Sequence, residues 1–215
     1  MSPSLADSLR WVAEGSRLCE QAIDGLDDGQ YAEPSALDRW SRAHVVAHLA
    51  ANAEALRNLT QWAATGEESP MYSSPEQRNA DIEAGATRPP AVLRTWFHEE
   101  AGALAADLGR LTDEQWKSTV RTAQGREVPA SEIPWLRARE VMVHAVDLDT
   151  GITFADLPDD FLGALHDDIV TKRGADAVLP LEGALADRVG YLAGRTNAGV
   201  TTTDGGPPPE LSPWL

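Results

Sequence analysis

The chain predicts a mainly α protein, a four-helix bundle followed by a small appended domain. Three observations carry this expectation. Apolar residues recur at three- and four-residue steps in four long segments before residue 150, the pattern of helices with one buried face. The connections between them are short to medium and rich in cap and turn residues, which suits a bundle. After Arg173 the texture changes to a short strand candidate, one more helix and a Pro/Gly-rich tail. A length of 215 residues accommodates such a domain with a smaller one behind it.

The elements follow in order. Leu5, Leu9, Val12, Cys19, Ile23 and Leu26 form one stripe that gives way to the turn residues DDG. Ser41 is a good N-cap for a second helix running through HVVAHLAANAEALRNLTQWAAT to Gly66, a good C-cap. Ser74 with Gln77 makes a capping box with Pro75 at the first helical position, opening a short helix that stops at Gly85. Pro89 and Pro90 start another, with Leu93, Trp96, Phe97, Ala101, Leu104 and Leu108 as its buried stripe. Thr112 and Gln115 signal a brief helical turn, and STVRTAQGREVPA reads as a hairpin that Pro129 confines to an edge. Ser131 caps a helix over WLRAREVMVHAVDLDTG that ends at Gly151, and a further helix spans about Pro158 to Lys172. Beyond it, AVLP is a strand candidate and LEGALADRVGYLAGR an amphipathic helix. The domains are therefore placed at 1–151 and 152–215.

Composition excludes several functions. Eighteen basic against 34 acidic residues give a formal charge of -16, which repels both nucleic-acid phosphates and anionic lipid surfaces. The start, MSPSLADSLRWVAEG, lacks a basic region followed by an apolar run, and no segment reaches the roughly 20 apolar residues of a membrane span. The expectation is a soluble, cytoplasmic protein. A single cysteine, Cys19, excludes an internal disulfide and any cysteine-rich zinc knuckle. Metal chemistry would rest on histidine and carboxylates.

Glu140 and His144 lie one turn apart on the same helical face, in the middle of apolar residues. A lone carboxylate or imidazole there is costly to desolvate, so a partner is required. Arg137 and Asp147 extend the stripe, and the second helix carries the same device in His44 and His48. One histidine from that helix would complete a triad of two imidazoles and a carboxylate, which leaves positions open on zinc or on non-haem iron. The two-His, one-Glu set favours zinc. A buried Glu–His hydrogen bond between helices would satisfy the same residues with no metal. His98, beside Glu99 and Glu100, and His166, beside Asp167 and Asp168, read as parts of solvated faces, and Cys19 as a small core residue.

Three segments carry a resemblance: SRAHVVAHLAANAEAL, TGEESPMYSSPEQRNADI and TAQGREVPASEIPWLRAREVMVHAVDLDTG. They resemble the mycothiol-dependent maleylpyruvate isomerases, a branch of the DinB-like four-helix metal proteins. The likeness extends to the end, YLAGRTNAGVTTTDGGPPPELSPWL. It implies a DinB-like bundle with a small α/β C-terminal domain, and the chain departs from the family between Arg173 and Leu181, where it reads as shorter, so that this domain is expected to be trimmed. The family's zinc ligands fall on His48, Glu140 and His144, with His44 as a neighbour, and its active-site arginine falls on Arg195 of YLAGRT. At a helix end, Arg195 also suits an ordinary surface role.

The resemblance further implies the cofactors zinc and mycothiol and a cis-trans isomerisation within gentisate degradation. The thiolate, activated on zinc, adds to the cis double bond of maleylpyruvate; the resulting single bond rotates, and expulsion of the thiolate leaves fumarylpyruvate. Arg195 would hold a substrate carboxylate. Two other readings stand beside this one: a zinc-dependent mycothiol S-transferase acting on electrophiles, and a non-catalytic bundle with the triad as a hydrogen-bond network.

Overall fold

The helices begin and end on residues that satisfy their free backbone groups. In α1 (Leu5–Asp24) the Ser4 hydroxyl accepts from the Asp7 N–H at 3.1 Å. A further helix, α2 (Arg42–Thr65), ends on Gly66, whose left-handed φ of 77° turns its N–H onto the Trp62 carbonyl at 2.8 Å. In α3 (Pro75–Ala86) the Ser74 hydroxyl accepts from the Gln77 N–H at 3.1 Å, and α4 (Pro90–Leu108) opens on a proline whose missing N–H costs nothing there. The site-bearing helix is α5 (Ile133–Asp147).

The computed structural model describes residues 3–174 and 180–214. They fall into two units, residues 4–150 and the chain from residue 151 onward. In the first, α1 packs along α5, α2 along α4, and α2 meets α5, with α3 laid against α2. This is the expected four-helix bundle with one short extra helix. Leu49, Leu56, Leu59, Leu93, Phe97 and Val141 are fully buried in it, each contributing about 2 kcal/mol by transfer from water. Gly15 lets α1 and α5 approach closely: a Cβ built there would lie 2.5 Å from Cγ2 of Val141.

The expected hairpin forms. Strands β1 (Thr119–Arg121) and β2 (Glu127–Pro129) pair antiparallel, and Val120 and Val128 sit opposite one another. Both turn inward onto Leu56, Leu59, Leu104 and Leu108, closing one end of the bundle.

Three boundaries differ from expectation. Ser131 does not cap α5; it lies in a 3-10 turn over Ala130–Glu132 that feeds directly into the helix. The helix then stops at Asp147, because Asp149 and Gly151 take left-handed φ values of 54° and 99°. In the second unit, α6 (Asp159–Arg173) packs on α7 (Leu185–Leu192). The helix expected over Leu181–Arg195 is shorter at its start, since Gly183 at φ 136° separates it from strand β3 (Leu181–Glu182). This pairs with β4 (Thr201–Thr202). Ala177, Val178 and Leu179 of the AVLP candidate lie outside the described residues. Arg173 donates to the carbonyls of Leu192 and Ser212, and the Tyr191 hydroxyl to that of Pro209 at 2.7 Å, tying the Pro-rich tail to this unit. No helix among the described residues is long and apolar enough to cross a membrane.

Candidate metal centre

Where α2 meets α5, the packing brings His48 against Glu140 and His144. Their three ligand atoms lie within 4.8 Å of one another. Nε2 of His48 is 2.9 Å and Nε2 of His144 3.2 Å from Oε2 of Glu140. The imidazoles meet edge to face, with centroids 4.8 Å apart. Both histidine side chains are 4% exposed and Glu140 is 17% exposed, so the carboxylate sits at the mouth of the site. Two nitrogens and one oxygen converging from facing helices fit the protein ligands of a catalytic zinc shell and also suit iron(II).

Asp147 orients this set. Its fully buried carboxylate lies 2.8 Å from Nδ1 of His144, which holds a proton on Nδ1 and leaves Nε2, the nitrogen that faces Glu140, as the one a metal would take. The Asp147→Asn variant is expected to bind zinc roughly ten- to hundredfold more weakly while keeping its fold. Competition with a chromophoric chelator, alongside the circular dichroism spectrum, checks this.

Burial lowers the His48 pKa to about 4, because desolvation of the imidazolium outweighs its hydrogen bond to Glu140. Burial works the same way on His144, but Asp147 and Glu140 overcome it and hold the ring at about 9. Glu140 stays well below the usual carboxylate range: burial opposes ionisation, and hydrogen bonds from His144 and His48 prevail. The triad therefore offers a neutral imidazole and an ionised carboxylate at neutral pH, and a metal arriving at His144 displaces a proton.

The remaining candidates are elsewhere. His44 works as a cap, its Nδ1 accepting from the Ser41 N–H at 3.2 Å while its Nε2 faces Glu83 at 3.4 Å. His98 pairs with Asp24 at the surface, and His166 lies beside Asp167. The buried Cys19 thiol donates to the Val141 carbonyl at 3.0 Å, and burial pushes its pKa up to about 12, so it supplies no thiolate. Arg137 is buried and joins α5 to α2, donating to the Leu49 carbonyl and to Oδ1 of Asn52, both at 2.8 Å. Arg195 belongs to the second unit, where its Nη1 donates to the Ala193 carbonyl at 2.9 Å just past α7.

Sequence periodicity missed the walls of the site. The Trp40 ring lies 5.6 Å from that of His48, and Nη2 of Arg78 is 3.3 Å from its Nδ1. Tyr72 is close enough to feel Glu140, Arg78 and Asn52; burial raises its pKa and Arg78 opposes that. Tyr72 falls in the GEESPMY loop, where the only signal was family likeness. A cleft of about 540 Å³ beside Arg57 and Asp107 lies apart from the triad, and its charged groups neutralise one another.

The family model of the mycothiol maleylpyruvate isomerase N-terminal domain matches residues 12–149. The chain belongs to this family. The family is one of isomerases, and this member is similar over its whole length to a solved structure, the mycothiol-dependent maleylpyruvate isomerase. The two share 36% identity and a TM-score of 0.93, with 99% of this chain and 98% of that one covered. A histidine-to-alanine variant of that isomerase matches equally, at TM-score 0.93 and 36% identity over 99% of this chain and 98% of its own. YfiT from Bacillus subtilis, at 20% identity and TM-score 0.54 over 68% of this chain and 85% of its own, shares the bundle fold. No curated protein sequence matches.

Proposed function

We propose that this family member is a mycothiol-dependent cis-trans isomerase that converts maleylpyruvate to fumarylpyruvate in the cytoplasm, as a step of gentisate degradation. The observation that carries the reading is the convergence of His48, Glu140 and His144 in a chain matched end to end by the solved isomerase. In this reading these three residues hold zinc, which supplies a lowered thiol pKa when bound, so that mycothiol reacts as thiolate at neutral pH. Thiolate addition to the cis double bond, rotation and elimination then return the thiol unchanged.

The protein's own residues do the positioning. Asp147 holds the Nδ1 edge of the His144 ring, so that Nε2 is the nitrogen presented to a metal. Arg195 takes a substrate carboxylate through paired hydrogen bonds; its support is the matching position in YLAGRT and the suitability of a guanidinium for a carboxylate. The test is incubation of the purified protein with zinc, mycothiol and maleylpyruvate. Fumarylpyruvate should accumulate at constant free thiol. An unchanged substrate rejects the reading, and stoichiometric consumption of thiol indicates S-transfer in its place.

A further inference from the structure

Arg78 stands out among the groups that the isomerisation reading leaves unused. It comes from the first turn of α3 and is half-buried, with Nη2 3.3 Å from Nδ1 of His48 and Nη1 3.2 Å from Oδ1 of Asn79. Both partners are neutral acceptors. In a chain with 34 acidic residues, Arg78 has no carboxylate partner among the described residues, whereas Arg57, at similar exposure, is engaged by Glu100 and Asp107 at 2.8 Å. The guanidinium lies 5.9 Å from the Tyr72 ring, and Arg78 and Asn52 both act on the Tyr72 hydroxyl.

The charges around the triad sharpen this. The carboxylates of Glu140 and Asp147 are offset by the guanidiniums of Arg78 and Arg137, and Glu83 is spent on His44. A divalent cation held by the triad therefore adds two positive charges that no further carboxylate among the described residues is seen to balance. A guanidinium so close to a ligand of that cation is repelled at short range unless an anion lies between them. A thiolate provides one negative charge and a carboxylate the second.

We propose that Arg78, backed by Tyr72 and Asn52, binds a carboxylate of the substrate beside the metal, the ligand class being a cis-dicarboxylate. The identity of the substrate rests on the isomerase reading; the carboxylate subsite rests on Arg78. The planar fork of Arg78 exchanges two neutral acceptors for one ionised group, which is the stronger partner for a guanidinium. Arg78 would act as a binding residue and leave the metal ligands intact.

Calorimetric titration of the zinc-loaded protein with maleate tests this. Wild type should bind it, Arg78→Met roughly ten- to hundredfold more weakly, and Arg78→Lys at an intermediate level. Zinc stoichiometry should be equal in all three. Maleate affinity in Arg78→Met within about twofold of wild type overturns the proposal, as does absence of maleate binding to wild type or loss of zinc in both variants. A wild type that binds maleate through Arg78 but leaves maleylpyruvate unchanged defeats the isomerase reading and leaves the subsite standing.

Discussion

Replacing Glu140 with alanine is expected to remove zinc and isomerisation together. The carboxylate is the only anionic member of the triad and the one that both imidazoles face, at 2.9 and 3.2 Å. Without it, a divalent cation would have to sit on two imidazoles beside Arg78, with no charge compensation from a ligand. Metal stabilisation of a reacting centre is worth several kcal/mol, and each ~1.4 kcal/mol is tenfold in rate, so kcat/KM should fall roughly a thousandfold or more. Zinc analysis of the dialysed protein and steady-state kinetics with mycothiol make the measurement. Glu140→Gln preserves the shape and should lose zinc in the same way, separating metal loss from misfolding. Full activity with stoichiometric zinc in either variant would remove Glu140 from the ligand set.

The second large effect concerns packing. Gly15→Leu is expected to destabilise the protein by about 3 kcal/mol, a shift of about 10 °C in Tm. A Cβ at Gly15 already falls 2.5 Å from Cγ2 of Val141 and 3.1 Å from Cγ of Met142, so the rest of a leucine has nowhere to go unless α1 and α5 separate. Val141 follows Glu140 in the chain, and the displacement should therefore weaken zinc binding too. Gly102→Ala is the control: nothing lies within 4 Å of its Cβ, and alanine should be neutral or stabilising by about 1 kcal/mol. Thermal unfolding monitored by circular dichroism compares the two; equal Tm values would show that α1 and α5 accommodate the leucine.

Much of this was legible in the chain because it depends on local spacing. Glu140 and His144 share a face at any crossing angle, and Ser41, Gly66 and Ser74 mark helix ends by chemistry that needs no tertiary partner. The choice between His44 and His48 depends on how α2 meets α5, which spacing leaves open and family likeness supplied. Arg78 and Tyr72 arrive from α3 and the loop before it, so no single periodicity contains them together with the triad. The two-residue strand at Leu181–Glu182 is shorter than one period of any pattern, and it took the start of a helix that hydrophobicity alone would have extended.

The cap at the start of α2 has a consequence for how this sequence can change. His44 is held to Ser41, and an α-helix turns about 100° per residue. The terminus thereby acts as a clock hand for His48: inserting or deleting one residue between them swings the imidazole away from Glu140 while the cap stays closed. A whole turn would restore the direction but displace the cap about 5.4 Å along the axis from His48, so point substitutions are the small steps available to this stretch.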